Sequence, residues 1–200
     1  MADSSIAVSS PIARLARELE TIAGQGMSER AFVRAAEPAM QRLLGEKDFL
    51  PEEAMQPSES GYARHLLYSD PQGRFSIAAM VWQPGQGTPV HDHDGTWGMI
   101  GMIQGGLEIV NYFSDEEGLL PGEVSLRSES PHTPQAGTDQ CICGCADIHV
   151  VNNRLDETAI SVHVYARDLE KCLVFEPVPG KDGRFTARKK TLSYTSGTSS

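Results

Sequence analysis

Two histidines one residue apart, His91 and His93, stand in Pro89-Val90-His91-Asp92-His93, just after a glycine-rich turn. On a strand, side chains at i and i+2 face the same way, so both imidazoles can converge on one small object. Imidazole nitrogens suit Fe, Ni, Cu and Zn. His149, close to Asp147, offers a third nitrogen, and three histidines could cap one face of an octahedral ion. The competing reading is a set of hydrogen-bonded core or turn histidines. Asp92 and Asp94 flank His93 and are expected to point the other way, as surface residues or as partners behind the ligands.

A second run, Ser161-Val162-His163-Val164-Tyr165, alternates hydrogen-bonding groups with valines. It reads as a strand with Ser161, His163 and Tyr165 on one face, where a histidine between two hydroxyls can pass or anchor a proton. An ordinary polar sheet face has the same pattern. A Ser-His hydrolase is disfavoured, because no Gly-x-Ser-x-Gly elbow occurs and the serine shares a strand with its base. Arg64 follows Tyr62 in Gly61-Tyr62-Ala63-Arg64-His65-Leu66-Leu67. In an extended segment the two share a face, and a guanidinium beside a cavity is a natural clamp for a carboxylate. A surface salt bridge is the alternative.

The elements that must position these groups are legible from the apolar pattern. Pro11 opens a helix with Ile12, Leu15, Ala16, Leu19 and Ile22 on one stripe, ending at Gly24. Ser28 or an adjacent residue is expected to cap a second, with Phe32, Val33, Ala36, Met40, Leu43 and Leu44 inward until Gly45, and with Pro38 set to kink or split it. Beyond Pro57 the texture turns to short strands: 75–82, 97–103, 107–113, 124–127, 148–152, 160–164 and 171–175, with a hairpin turn at Lys181-Asp182-Gly183-Arg184. The pattern predicts a mainly β fold, an antiparallel β-barrel or sandwich with N-terminal helices. One domain spans residues 1–200, with a helical cap at about 11–55 and a barrel at about 61–192. Thr195 to Ser200 are small and polar and are expected to fray.

The 200 residues, 40% hydrophobic, suffice for one real core. A formal charge of −10, with Arg188-Lys189-Lys190 as a mere short basic run, argues against nucleic acid. No stretch approaches about 20 consecutive apolar residues, and the first ten residues lack a leader pattern, so no membrane association and a cytoplasmic location are expected. A monomer or weak homo-oligomer is expected. Cys141, Cys143 and Cys145 would share a strand face and bridge poorly; incidental thiols, a redox-sensitive patch and metal binding all remain open for them.

From Gly61 to Phe175 the chain resembles the cysteine dioxygenase family, the small-thiol dioxygenases of the cupin superfamily. The resemblance rests on Gly85-Gln86-Gly87-Thr88-Pro89-Val90-His91-Asp92-His93, Gln104-Gly105-Gly106, His149 and Ser161-x-His163-x-Tyr165. It implies a cupin-type barrel (double-stranded β-helix or jelly roll). It also implies non-haem Fe(2+) on His91, His93 and His149, with Ser161, His163 and Tyr165 as an outer relay. Many cupins place a glutamate soon after the His-x-His pair; Thr96, Trp97 and Gly98 stand there instead, so the resemblance implies an all-histidine site. Mammalian members carry a cysteine at the place of Gly98 and crosslink it to the tyrosine matching Tyr165, which this chain cannot do.

The implied reaction joins a small thiol carboxylate and O2 to give a sulfinate. Arg64, with Tyr62, matches the position that holds the carboxylate of L-cysteine, the leading substrate. The 3-mercaptopropionate relatives resemble the chain at Gly98 but carry their clamp arginine after the tyrosine, where Arg167 sits too close to match. 3-Mercaptopropionate and mercaptosuccinate are the alternative substrates. A cupin of other chemistry and a non-enzymatic metal- or small-ligand-binding cupin are the rival readings.

Overall fold

The structure, a computed structural model, describes residues 9–116, 119–142 and 147–196, the side chains of 139–142 excepted. Helix α1 (Ser10–Ala23) has Pro11 in its first turn and Gly24 as its C-cap, and buries Ile12, Leu15, Ala16 and Leu19. Helix α2 (Glu29–Leu44) runs from Ser28 to Gly45 as one element. Pro38 does not split it. The ring leaves the Arg34 carbonyl without its helical donor, but Phe32, Val33, Ala36, Ala39, Met40 and Leu43 are buried on both sides of the interruption. Burial of several such side chains outweighs a penalty of about 3 kcal/mol. A short 3-10 helix, Glu52–Met55, leads to the strands.

Twelve antiparallel strands follow among the described residues: β1 (Ala63–Ser69), β2 (Ser76–Trp82), β3 (Val90–His91), β4 (Gly98–Gln104), β5 (Glu108–Phe113), β6 (Gly122–Ser125), β7 (Arg127–Ser128), β8 (Asp139–Ile142), β9 (Ile148–Asn152), β10 (Ala159–Tyr165), β11 (Lys171–Pro177) and β12 (Arg184–Thr191). One sheet has the order β1-β2-β10-β4-β8 and the other β6-β12-β11-β3-β9-β5-β7. Together they form the expected nearly closed antiparallel barrel, with the two helices outside.

Strand β10 shows how the sequence sets these layers. All seven of its residues are buried. Ile160, Val162 and Val164 join the apolar cluster under the helices, while Tyr165 belongs to the cluster between the sheets. With a side-chain period of two, Ser161 and His163 share the face of Tyr165. The polar face thus looks into the barrel, not at solvent. The helices lie close to this sheet because Gly101 has no side chain: a Cβ there would stand 2.8 Å from Met40 Sδ and 3.0 Å from Leu44 Cδ2.

Several boundaries depart from the expectation. The 124–127 strand is two short ones, β6 and β7. The lysine-rich β12, paired along its length with β11, carries too few apolar residues to announce itself. Cys143 and Cys145, with the side chain of Cys141, lie outside the described residues. Thr195 and Ser196 do not fray: they are hydrogen-bonded to β1.

Candidate metal centre

His91 and His149 occupy directly opposed positions of β3 and β9. Strand β3 ends at His91, so His93 does not share a strand with it, contrary to the expected i, i+2 arrangement. A turn through Asp94 and Gly95, with φ of 53° and 66°, follows His93 and brings its ring back towards the pair. Ring centroids lie 5.1 Å (His91–His93), 4.8 Å (His91–His149) and 4.7 Å (His93–His149) apart, and one nitrogen from each lies within 4.8 Å of the others.

Hydrogen bonds select which nitrogens face inward. His91 Nδ1–H donates to the Pro89 carbonyl at 3.0 Å, and His93 Nδ1–H to the Asp147 carbonyl at 2.7 Å. Each Nε2 is then the unprotonated nitrogen. His93 Nε2 is fully buried and has no hydrogen-bond partner among the described residues. A buried acceptor left unpaired is costly, so its presence calls for a ligand. Three neutral imidazoles, two with their orientation fixed by a carbonyl, fit a divalent ion of the Fe or Zn type. Asp92, one of the two flanking aspartates expected at the surface or behind the ligands, is buried; its carboxylate accepts from the Leu173 and Asp94 amides and anchors the turn.

Across the barrel, His163 Nε2 lies 2.8 Å from Ser161 Oγ and His163 Nδ1 lies 3.0 Å from Tyr165 Oη. Trp82 Nε1–H donates to Ser161 Oγ at 3.0 Å, a partner that the sequence pattern did not flag. The buried serine hydroxyl already accepts from Trp82, so its own proton goes to His163 Nε2. His163 Nδ1–H then donates to Tyr165 Oη and leaves the tyrosine proton free to point into the cavity. Burial raises the Tyr165 pKa above its ordinary value, with Arg64 partly offsetting, so the hydroxyl stays a donor at neutral pH. Gly98 lies opposite Tyr165 on β4; a Cβ there would come 2.9 Å from the tyrosine ring, so glycine is what lets the ring lie flat against the strand.

Arg64 is buried. Its Nη2–H donates to the Leu169 carbonyl at 3.2 Å and its Nη1–H to the Ser193 carbonyl at 3.5 Å, with Tyr194's ring centroid 4.7 Å from Cζ. Among the described residues no carboxylate lies within ion-pair distance of it, so the salt-bridge alternative fails. Tyr62 stacks on Trp82 at 4.3 Å. Arg167, the other candidate clamp, is exposed and pairs with Asp94 at 3.0 Å.

Tyr62, Arg64, Trp82, Thr88, His91, His149, His163 and Tyr165 all line one inner cavity of about 20 Å³, and a mouth of about 290 Å³ adjoins it at Tyr62, Arg64 and Leu192. A larger cleft of about 620 Å³ meets Asp92, Asp94 and Asp147 but none of the three histidines. The inner cavity, where the donors converge, is the candidate site.

Burial, then neighbouring positive charge, pushes the histidines down: His91 to about 3 with His93 contributing, His163 to about 3 with Arg64 contributing, and His149 well below its ordinary value. The unfolded chain therefore binds protons between about pH 6.5 and 3 that the folded protein does not, so stability must fall as the pH drops. For His163 alone the loss from pH 6.5 to 5 is about 2 kcal/mol. His149 acts in the same direction, and half-buried His91 adds less. Urea unfolding of metal-free protein at pH 7 and pH 5 checks this; equal stability at the two values would mean that these rings are open to water.

Known proteins are similar to this chain in sequence or in fold. Cysteine dioxygenase type 1 of Homo sapiens is 27% identical over 129 residues, covering 62% of this chain and 60% of that protein. The Danio rerio enzyme of the same name is 27% identical over 126 residues, covering 60% and 58%. The chain thus spans about three fifths of the length of these curated relatives. Solved structures similar to it include an uncharacterized conserved protein with a double-stranded β-helix domain from Klebsiella pneumoniae (19% identity, 72% of this chain and 99% of that one, TM-score 0.43). Oxalate oxidase in complex with glycolate is another (16% identity, 62% and 61%, TM-score 0.44). Among the described residues no helix is long and apolar enough to cross a membrane. The family described as Cysteine dioxygenase type I matches residues 55–177, a span holding all three histidines, the Ser161-His163-Tyr165 face and Arg64; the chain belongs to that family.

Proposed function

We propose that the protein is an iron(II)-dependent thiol dioxygenase converting a small thiol carboxylate to its sulfinate, with His91, His93 and His149 holding the metal. The observation that carries this reading is that Arg64, a buried guanidinium with no carboxylate partner among the described residues, lines the same cavity as His91 and His149 of the three-histidine cluster. When bound, a ferrous ion supplies Lewis acidity that favours thiolate over thiol and the redox partner that dioxygen chemistry requires. The balance is R–SH + O2 → R–SO2H: both oxygen atoms end on sulfur, which loses four electrons to O2, so no external reductant is consumed.

The chain's own groups bind and orient. Arg64 takes the carboxylate through its fork and so sets how far the thiol reaches into the cavity. Tyr165, its oxygen held by His163, presents a fixed O–H donor at the reacting end, with Ser161 and Trp82 locking the tautomer behind it. Trp82, Met80, Val151 and Leu169 keep the cavity walls apolar and exclude bulk water.

L-Cysteine is the leading substrate, because Arg64 and not Arg167 faces the cavity. One observation favours 3-mercaptopropionate or mercaptosuccinate as the second reading: among the described residues no carboxylate lines the cavity to receive a cysteine ammonium. Oxygen uptake by iron-loaded protein with the three thiols in turn, with product mass, is the test. One O2 per thiol and a mass gain of two oxygen atoms are expected with the true substrate. Absence of thiol-dependent uptake would sink the dioxygenase reading and leave a ligand-binding protein.

A further inference from the structure

Strand β1, which carries Arg64, is an edge strand of its sheet. An open edge offers unpaired amides and carbonyls, and proteins cover such edges. Here the cover is the segment Leu192–Ser196 that follows β12. The Thr195 amide donates to the Arg64 carbonyl at 2.6 Å, the Arg64 amide donates to Thr195 Oγ1 at 3.1 Å, and the Leu66 amide donates to the Ser196 carbonyl at 3.0 Å. His65 Nε2–H donates to the Gln56 carbonyl, which leaves Nδ1 to accept from the Ser196 hydroxyl at 2.6 Å. The Leu192 amide closes the other end on the Glu170 carbonyl at 2.7 Å.

Side chains of this strap alternate as in a strand: Leu192, Tyr194 and Ser196 are partly buried while Ser193 and Thr195 are exposed. The inward residues all act on the arginine or its surroundings. Leu192 lies between the inner cavity and its mouth, contributing to both. Tyr194 sets its ring beside the Arg64 guanidinium, and its hydroxyl donates to Asp168 Oδ1. With Ser193's carbonyl on Nη1, the strap holds Arg64 by both backbone groups and by its side chain.

We propose that this strap is the specificity element of the site, with Tyr194 as the positioning residue that aims the Arg64 guanidinium at the substrate carboxylate. The proposal rests on the thiol-carboxylate reading above. A guanidinium held by two carbonyls and a ring face has its remaining N–H groups pre-aimed, so the carboxylate meets a fork that is already ordered. Among the described residues Tyr194 makes no hydrogen bond or ring contact with the three histidines or the Ser161-His163-Tyr165 relay and reaches Tyr165 only through a weak electrostatic interaction, so its effect falls mainly on substrate affinity and little on turnover.

The experiment is calorimetric titration of zinc-loaded protein with 3-mercaptopropionate, since zinc holds the thiol without oxygen chemistry, for wild type, Tyr194→Leu, Tyr194→Phe and Asp168→Ala. Tyr194→Leu is expected to weaken binding about tenfold, the worth of a partly buried cation–π contact. Tyr194→Phe keeps the ring and stays within about threefold of wild type. Asp168→Ala, which frees the tyrosine hydroxyl, falls between them and serves if the leucine variant does not fold. In the iron enzyme the same order is expected in KM, with kcat within about twofold; a merely structural role would lower the folded fraction and leave KM alone. Equal affinity of wild type, Tyr194→Leu and Asp168→Ala overturns the proposal, as does a wild type that binds no thiol carboxylate. A wild type that binds but consumes no oxygen overturns the dioxygenase reading and leaves the strap's role standing.

Discussion

Replacing His93 by alanine is expected to weaken iron(II) binding by more than about a hundredfold and to remove thiol-dependent oxygen uptake with it. Loss of a single outer hydrogen bond to a metal-ligating histidine already costs about 10–100-fold, and in the proposed function His93 is the ligand itself. Its Nε2 is a buried nitrogen that nothing among the described residues satisfies. The metal-free protein should tolerate the change. The variant leaves a cavity and an unpaired Asp147 carbonyl, but it also removes an unsatisfied buried acceptor, and these effects oppose each other at about 1–3 kcal/mol each.

The signature is therefore in linkage. Iron is expected to raise the unfolding temperature of wild type, because a ligand that binds only the folded state stabilises it. It should not raise that of the variant. Thermal melts with and without iron(II), with metal content after gel filtration, check both statements. Asp147→Ala is the control, because the contact at 2.7 Å is to the main-chain carbonyl and survives the substitution, leaving only the longer 3.2 Å contact from the carboxylate to be lost. Iron binding lost equally in the two variants would move the essential interaction from the imidazole to the aspartate.

The same site shows which parts of a sequence can be read in advance. Strand β10 was legible because each side chain carries its own environment: valines for a helix-covered face, and Ser161, His163 and Tyr165 for a face that must be enclosed and hydrogen-bonded. The helices were legible from apolar stripes ending at Gly24 and Gly45. His91 and His93 were identified for a reason only half right, because convergence of their rings depends on a turn after β3 and not on strand alternation. Spacing of two residues fits both geometries, and the positive φ at Asp94 leaves no mark in a pattern of apolar and polar residues.

What stayed hidden was held by long-range contacts. Trp82 and Ser161 are 79 residues apart, and Arg64 and Thr195 are 131 apart. Nothing local in Leu-Ser-Tyr-Thr-Ser distinguishes a fraying tail from a strap, since small polar residues suit both. The edge of β1 decides between them, and that edge exists only once the sheet order is known. Arg64 could be weighed as clamp or salt bridge from sequence, but setting the salt bridge aside needed the absence, among the described residues, of a neighbouring carboxylate in space.

That absence underlies the second large effect. Arg64→Met, which keeps most of the apolar stem, is expected to raise KM for thiol carboxylates by about 30- to 1,000-fold while leaving iron content unchanged. Truncating one partner of a buried, hydrogen-bonded charge pair costs about 2–5 kcal/mol, and each 1.4 kcal/mol is a factor of ten. The lower part of that range applies here, because the mouth beside Arg64 gives water some access. Stability of the ligand-free protein should move the other way or not at all. A buried guanidinium whose protein partners are two carbonyls and an aromatic ring is poorly compensated, and apolar replacement of poorly compensated buried charge is neutral or stabilising. Higher KM with an equal or higher unfolding temperature thus separates loss of a clamp from loss of the fold. Arg167→Ala supplies the contrast: its partner is Asp94 at the surface, so KM should stay within about twofold. Steady-state oxygen uptake with L-cysteine and 3-mercaptopropionate reads both variants. If Arg64→Met leaves KM unchanged for both thiols, the carboxylate is held elsewhere and the buried arginine belongs to the architecture of β1 alone.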